Sequence, residues 1–259
     1  IHNEVDAAWV WTNCGKQPPE TMMDYYVKSM RIVNGTARQY NPKAQVMISL
    51  THFWNKRNSH GPADAMYAPR ELLDILADHS RVEGDFNWGL AYHPYPHNLR
   101  NPQVWNDPVQ WRMDADIISY KNLEVLVAAM GQPKFLYKGK RRRIHLTEQG
   151  FSNPDHSEKQ LQIQAAAMAY GMKKINGLDG IDVHILHRWV DHGKEGGLNL
   201  GLVQHKPGTV NATGAEKPSF DVYSAIGTPR EEEACRFALD VIGIESWDEI
   251  FYEGEIGGR

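Results

Sequence analysis

Short apolar runs alternate with longer amphipathic stretches along most of this 259-residue chain. That rhythm restricts the fold to successive β/α units around a parallel sheet, because doubly covered strands read as continuous apolar runs and their covering helices as 3.6-residue stripes. Residues 44–51, 86–92, 143–147 and 181–189 have the length and character of strands, and residues 1–4 read as the end of another. A helix is predicted from just after Pro18-Pro19, since proline is tolerated in a first turn, through Met22, Tyr26 and Met30 to about Tyr40, where Asn41-Pro42 stops it. A second starts near Pro69 and buries Leu72, Leu73, Leu76 and Ala77, and a third covers residues 123–130. Ser157 with Gln160 reads as a capping box opening a fourth, whose apolar positions run from Leu161 through Ala165, Met168 and Met172 to Ile175. Residues 219–226 close the series. Residues 1–228 are therefore expected to form one β/α domain, with 229–259 as an added helix and tail packed on it.

Two carboxylates give this frame a chemistry. Glu4 ends the first short run, and Glu148 ends the strand before Gln149-Gly150. Acid/base hydrolysis of a glycosidic bond requires such a pair, one group to donate a proton and the other to attack or to activate water. An exposed chain-end Glu and a loop Glu are the bland alternatives. A charge closing an apolar strand and followed by glycine is unusual for a merely solvated position, and this favours Glu148 above Glu4.

Asn3-Glu4 at one strand end, His93-Pro94-Tyr95 at a second, Thr147-Glu148-Gln149-Gly150 at a third and Trp189 at the last resemble the order of motifs in clan A glycoside hydrolases. Residues 89–96, 147–151 and 184–192 are similar, more narrowly, to a bacterial family of unknown function within that superfamily. The resemblance implies a (β/α)8 barrel of which this chain holds the C-terminal half, from the end of strand 4 to strand 8 and the final helices. It implies Glu4 as acid/base and Glu148 as nucleophile of a retaining double displacement. The chain departs from the clan in lacking strands 1 to 3 and the body of strand 4. Either the missing N-terminal half of the barrel or a second copy of the chain is then expected as partner, since an open half leaves two unpaired sheet edges.

The same resemblance suggests substrate contacts. Asn3 is the candidate for the hydroxyl beside the anomeric carbon, Tyr95 for orienting Glu148, and Trp189 for the floor of the sugar subsite. His52, His93 and His187 are candidate hydroxyl contacts, each as readily a local hydrogen-bonding group. Trp9, Trp11 and Trp54 lie in adjoining loops and suit packing or a sugar platform equally. On strand parity, His93 and Tyr95 share a face, as do His187 and Trp189, while Glu148 shares its face with Leu146 and Ile144.

Other classes fit less well. A net charge of -4 and a pI near 6.3 give no electrostatic reason for nucleic acid, and no apolar run reaches membrane-span length. The basic run from Lys138 to Arg143 is expected to be a solvated loop. No cofactor is expected. Nor is a catalytic metal: His184, His187, Asp191 and His192 form the densest cluster, but His184 and His187 are three apart on a predicted strand and face opposite sides. A carbohydrate-binding fragment without turnover is the competing reading, and a metal-dependent barrel hydrolase the more distant one. Cys14 and Cys235 imply no disulfide framework.

Overall fold

Four of the predicted apolar runs pair into one parallel sheet, neighbour beside neighbour in chain order, in a computed structural model that describes residues 1–7, 9–58 and 65–258, without the side chains of residues 9 and 10. In chain order the elements are α1 (Trp9–Thr12), α2 (Pro19–Tyr40), β1 (Met47–Leu50), α3 (Pro69–Val82), β2 (Gly89–Tyr92), α4 (Leu123–Met130), β3 (Ile144–Leu146), α5 (Glu158–Gly177) and β4 (Val183–His184). The fold is α/β, and each crossover between sheet strands carries a helix, as in successive units of a (β/α)8 barrel. Then come an antiparallel pair, β5 (Val203–His205) and β6 (Thr213–Glu216), and two helices, α6 (Pro218–Ala225) and α7 (Glu231–Ile242).

The register divides the sheet into two sides. Met47 lies opposite Gly89, Leu90 opposite Ile144 and Leu146 opposite His184. Ile48, Leu50, Leu90, Tyr92, Ile144 and Leu146 are fully buried and form one core with Met22, Tyr26, Leu72, Leu76, Leu126 and Met168 of the helices. Ser49, Ala91, His93 and Thr147 have the opposite parity, and Ser49 and Thr147 both reach His93. The second side therefore carries the small and polar residues. Ile144 and Leu146 do not share a face with Glu148, contrary to the parity expectation: the backbone bends at Glu148, and alternation ends with the strand.

Other expectations change in the same way. Residues 1–4 form no strand; Ile1 N and Val5 N donate to Met47 O and Ser49 O, but positive φ at His2 (58°) and Glu4 (39°) breaks the ladder between them. Residues 181–189 pair as a strand only over Val183–His184. The Ser157 side chain makes no capping bond to α5. Arg142 is not solvated: it is buried, donates from Nη2 to both Asp85 oxygens at 2.7 and 2.8 Å and from Nη1 to the Phe86 carbonyl at 2.8 Å, and stacks 3.9 Å from the Trp88 ring centre. The guanidinium's apolar faces and two-pronged donor set make it more buriable than the lysines around it. Cys14 and Cys235 are both free.

The segment after residue 229 is tied to the sheet's helical layer by charge. Lys173 on α5 pairs with Glu231 at 2.8 Å, and the buried Lys174 bonds both Glu124 of α4 and, at 2.6 Å, the Ile250 carbonyl. Among the described residues no helix is long and apolar enough to cross a membrane.

Candidate active site

His93, fully buried just past β2, is the centre of the site. Its Nδ1 lies 2.8 Å from Glu4 Oε1 and 4.0 Å from Glu148 Oε2, and its Nε2 lies 3.0 Å from Thr147 Oγ1. One oxygen of each carboxylate and one His93 nitrogen all fall within 4.8 Å of one another. Glu4 arrives by an unusual route. Its left-handed backbone turns the side chain inward, and its N–H donates to Ser49 Oγ at 3.0 Å, which anchors the turn to β1. The Tyr95 hydroxyl donates to Glu148 Oε1 at 3.2 Å. Burial, and then the charge of Glu148, push that phenol well above its ordinary value, so it remains a donor. Glu4 is the more enclosed carboxylate, with a side chain 13% exposed against 33% for Glu148.

A cavity of about 190 Å³ opens over this pair and is lined by His52, Phe53, Tyr95, His187, Glu195 and Leu200, among others. Of the predicted contacts, the structure brings His52, His93, Tyr95 and His187 to the carboxylates or their cavity. Burial, reinforced by His97, lowers His52 to about 4 and leaves it neutral. Three predicted contacts lie elsewhere. Asn3 is exposed outside the cavity, because the positive φ angles on either side of it turn its neighbour Glu4, and not Asn3, inward. Trp189 is 58% exposed and packs edge-on against Phe220. The strand parity that paired it with His187 does not apply, since β4 ends at His184. Trp54 is fully buried, with its indole N–H on Met113 O at 2.8 Å and its ring edge-on to Tyr92. Its neighbour Phe53, stacked on His52, faces the cavity instead. Trp11 is 44% exposed on α1 and does not line the cavity; the Trp9 side chain lies outside the described residues. Trp54→Ala is accordingly expected to cost about 3–5 kcal/mol of stability, as for other buried aromatic truncations, read as a lowered urea midpoint; an unchanged midpoint would contradict a core role.

A family model described as "Family of unknown function (DUF5722)" matches residues 1–250. The chain belongs to this family. No curated protein matches it. Among solved structures, a glucosidase from Croceicoccus marinus aligns at 15% identity and TM-score 0.40, over 68% of this chain and 31% of its own. A family 39 glycoside hydrolase from Bacteroides cellulosilyticus WH2 aligns at 12% identity and TM-score 0.44, over 86% and 49%. A family 1 β-glucosidase from Thermotoga maritima aligns at 10% identity and TM-score 0.39, over 88% and 57%. This DUF5722 chain thus spans between 31% and 57% of the lengths of those structures.

Two acidic residues of the DUF5722 site escape a reading of the sequence. Asp6 is fully buried and takes Thr51 N–H at 3.0 Å and Thr51 Oγ1 at 2.5 Å. Burial, outweighing the Thr51 bonds and helped by Glu4, raises its carboxyl to about 7. The folded chain therefore holds a proton that the unfolded chain releases near pH 4. The resulting stability is complete below about pH 4 and is lost as pH rises through about 7, a change on the order of a few kcal/mol. Asp6→Asn should flatten that slope in urea titrations between about pH 4 and 7; an unaltered slope would exclude Asp6 as its source. The second residue, Glu195, lines the cavity and is held by His187 Nε2 at 2.7 Å and Arg188 Nη1 at 2.9 Å. The only sequence signal for either was negative: an acid among apolar neighbours, and an acid in a glycine-rich loop.

Proposed function

We propose that this chain carries the catalytic pair of a retaining glycoside hydrolase of the clan A type, with Glu148 as nucleophile and Glu4 as acid/base. The observation that carries the reading is the approach of the two carboxylates, within 4.8 Å oxygen to oxygen, at one end of the parallel sheet. Retaining enzymes set their carboxyl groups about 5–5.5 Å apart, and inverting ones leave roughly 6.5–9.5 Å for a water. In the first step a Glu148 oxygen bonds to the anomeric carbon as the glycosidic C–O bond breaks, and the Glu4 proton passes to the leaving oxygen. In the second, Glu4 takes a proton from water, whose oxygen bonds to the same carbon and releases Glu148.

The surroundings support this division of roles. Tyr95 keeps Glu148 oriented and takes up part of its negative charge. His93 gives Glu4 a partner in either state, donating from Nδ1 to the carboxylate or accepting from the carboxyl while Nε2 donates to Thr147. A neutral hydrogen-bonding wall of His52, stacked on Phe53, suits a sugar's hydroxyls and its apolar face.

The test is turnover of a panel of p-nitrophenyl glycosides and of plant and microbial polysaccharides, with the first-formed anomer followed by proton NMR. Retention of configuration is the expected result, and inversion, or no turnover of any glycoside, would overturn the reading. The grouping of Glu4, His93 and Glu148 also favours a second reading, a cation site serving a metal-dependent hydrolase. Exhaustive chelation followed by assay separates the two: activity should persist for the carboxylate pair and vanish for a metal enzyme.

A further inference from the structure

Glu195 lies in the glycine-rich loop after β4, yet its side chain reaches back to the site. Oε1 sits 2.7 Å from His187 Nε2 and Oε2 sits 2.9 Å from Arg188 Nη1, so one carboxylate holds two consecutive residues. His187 is fixed from the other direction through its backbone. Its N–H donates to Gln149 O at 2.8 Å, and its carbonyl lies where a Cβ on Gly150 would sit, 2.1 Å from that point. Glycine at 150 is what permits this approach beside Glu148. Both His187 and Glu195 line the cavity over the carboxylate pair.

This contact sets the ring's chemistry. Burial disfavours charge on Glu195, but the bonds from His187 and Arg188 outweigh it and hold the carboxyl below its ordinary value, so it accepts from both. Facing an anionic acceptor 2.7 Å away, Nε2 is the nitrogen that carries a proton, and where that is the ring's single proton Nδ1 is an acceptor. Among the described residues no protein group bonds Nδ1.

We infer that Glu195 is a positioning residue that fixes His187 as a hydrogen-bond acceptor toward the cavity, so that this subsite selects a sugar hydroxyl donating to His187 Nδ1. The inference rests on the glycosidase reading for the identity of the ligand, but the placement of the proton does not.

The experiment has two arms. Long-range proton–nitrogen NMR on the histidine-labelled protein, with His187 assigned by its loss in His187→Gln, should show the Nε2–H tautomer in the parent chain and a mixture of tautomers in Glu195→Ala. An Nδ1–H tautomer in the parent, or no change in Glu195→Ala, would overturn the proposal whether or not a substrate is known. In the second arm, on a p-nitrophenyl glycoside that the parent hydrolyses, Glu195→Ala should raise KM about 10-fold with a smaller effect on kcat. Glu195→Gln keeps an acceptor for His187 and should restore most of the loss. Equal losses in both variants, or a fall confined to kcat, would assign Glu195 to loop structure and not to substrate selection. Absence of turnover on the whole panel would count against the glycosidase reading alone, because the tautomer is read on the free protein.

Discussion

Glu148→Gln is expected to lower kcat on a chromogenic glycoside by about 10³-fold or more while KM changes little. An amide cannot bond to the anomeric carbon and leave again as a carboxylate does, so the proposed first displacement would lose its nucleophile. The fold should not register the change. Gln has the same shape, its carbonyl oxygen still accepts the Tyr95 hydroxyl, and the side chain is one-third exposed, so the urea midpoint should match the parent's. A variant that hydrolyses at the parent rate would remove Glu148 from the mechanism. A variant that unfolds would instead make it a structural residue.

A loss of stability as large as that of Trp54→Ala is expected at a buried ion pair that begins in the loop carrying Glu195. Asp191 and Lys217 are both fully buried and pair at 2.8 Å, with His156 Nε2 2.8 Å from the second carboxylate oxygen and Gly201 N–H donating to the first at 2.7 Å. Burial lowers the Lys217 ammonium below its ordinary value against the pull of Asp191. Removing one partner strands a charge away from water. Lys217→Met should therefore cost about 3–5 kcal/mol, read from chemical unfolding. Joining it to Asp191→Leu should cost less than the two single losses summed, because neither charge is then left alone. A midpoint within error of the parent for Lys217→Met would show that the pair contributes no net stability.

The sheet and the position of Glu148, one of the two carboxylates proposed as the catalytic pair, were legible for local reasons; Glu4 is placed by a left-handed turn and not by a strand. Each buried run was bounded by proline, glycine or a turn, and α4 falls on residues 123–130 as the apolar pattern predicts. Glu148, His93 and Tyr95 sit within a few residues of a strand end, where chain direction is still set by the ladder. Legibility ends where the ladder does. Trp189 lies five residues beyond β4, Trp54 four beyond β1, and Asn3 between two left-handed residues, so their directions follow from loop contacts such as Trp54 N to Asp116 O and Val203 N to Trp189 O. Glu195 and Asp6 acquire meaning only from partners on other segments, His187 with Arg188 and Thr51. Arg142 shows the converse: a run of like charge looked solvated because the partner that neutralises it, Asp85, is 57 positions away.

His93 directly follows the second strand and reaches to Ser49 on the first, to Glu4 before it and to Thr147 after the third. Because pleated side chains alternate, a slip of β2 by one position would turn the imidazole among the helices while leaving many backbone bonds remade. Circular dichroism would hardly distinguish such a misthreaded molecule from the native one. Recovery of the glycosidase activity proposed for the chain would then lag behind recovery of helix and sheet after dilution from denaturant, and its assay would become the more exacting gauge of whether three strands have come to rest in their proper places.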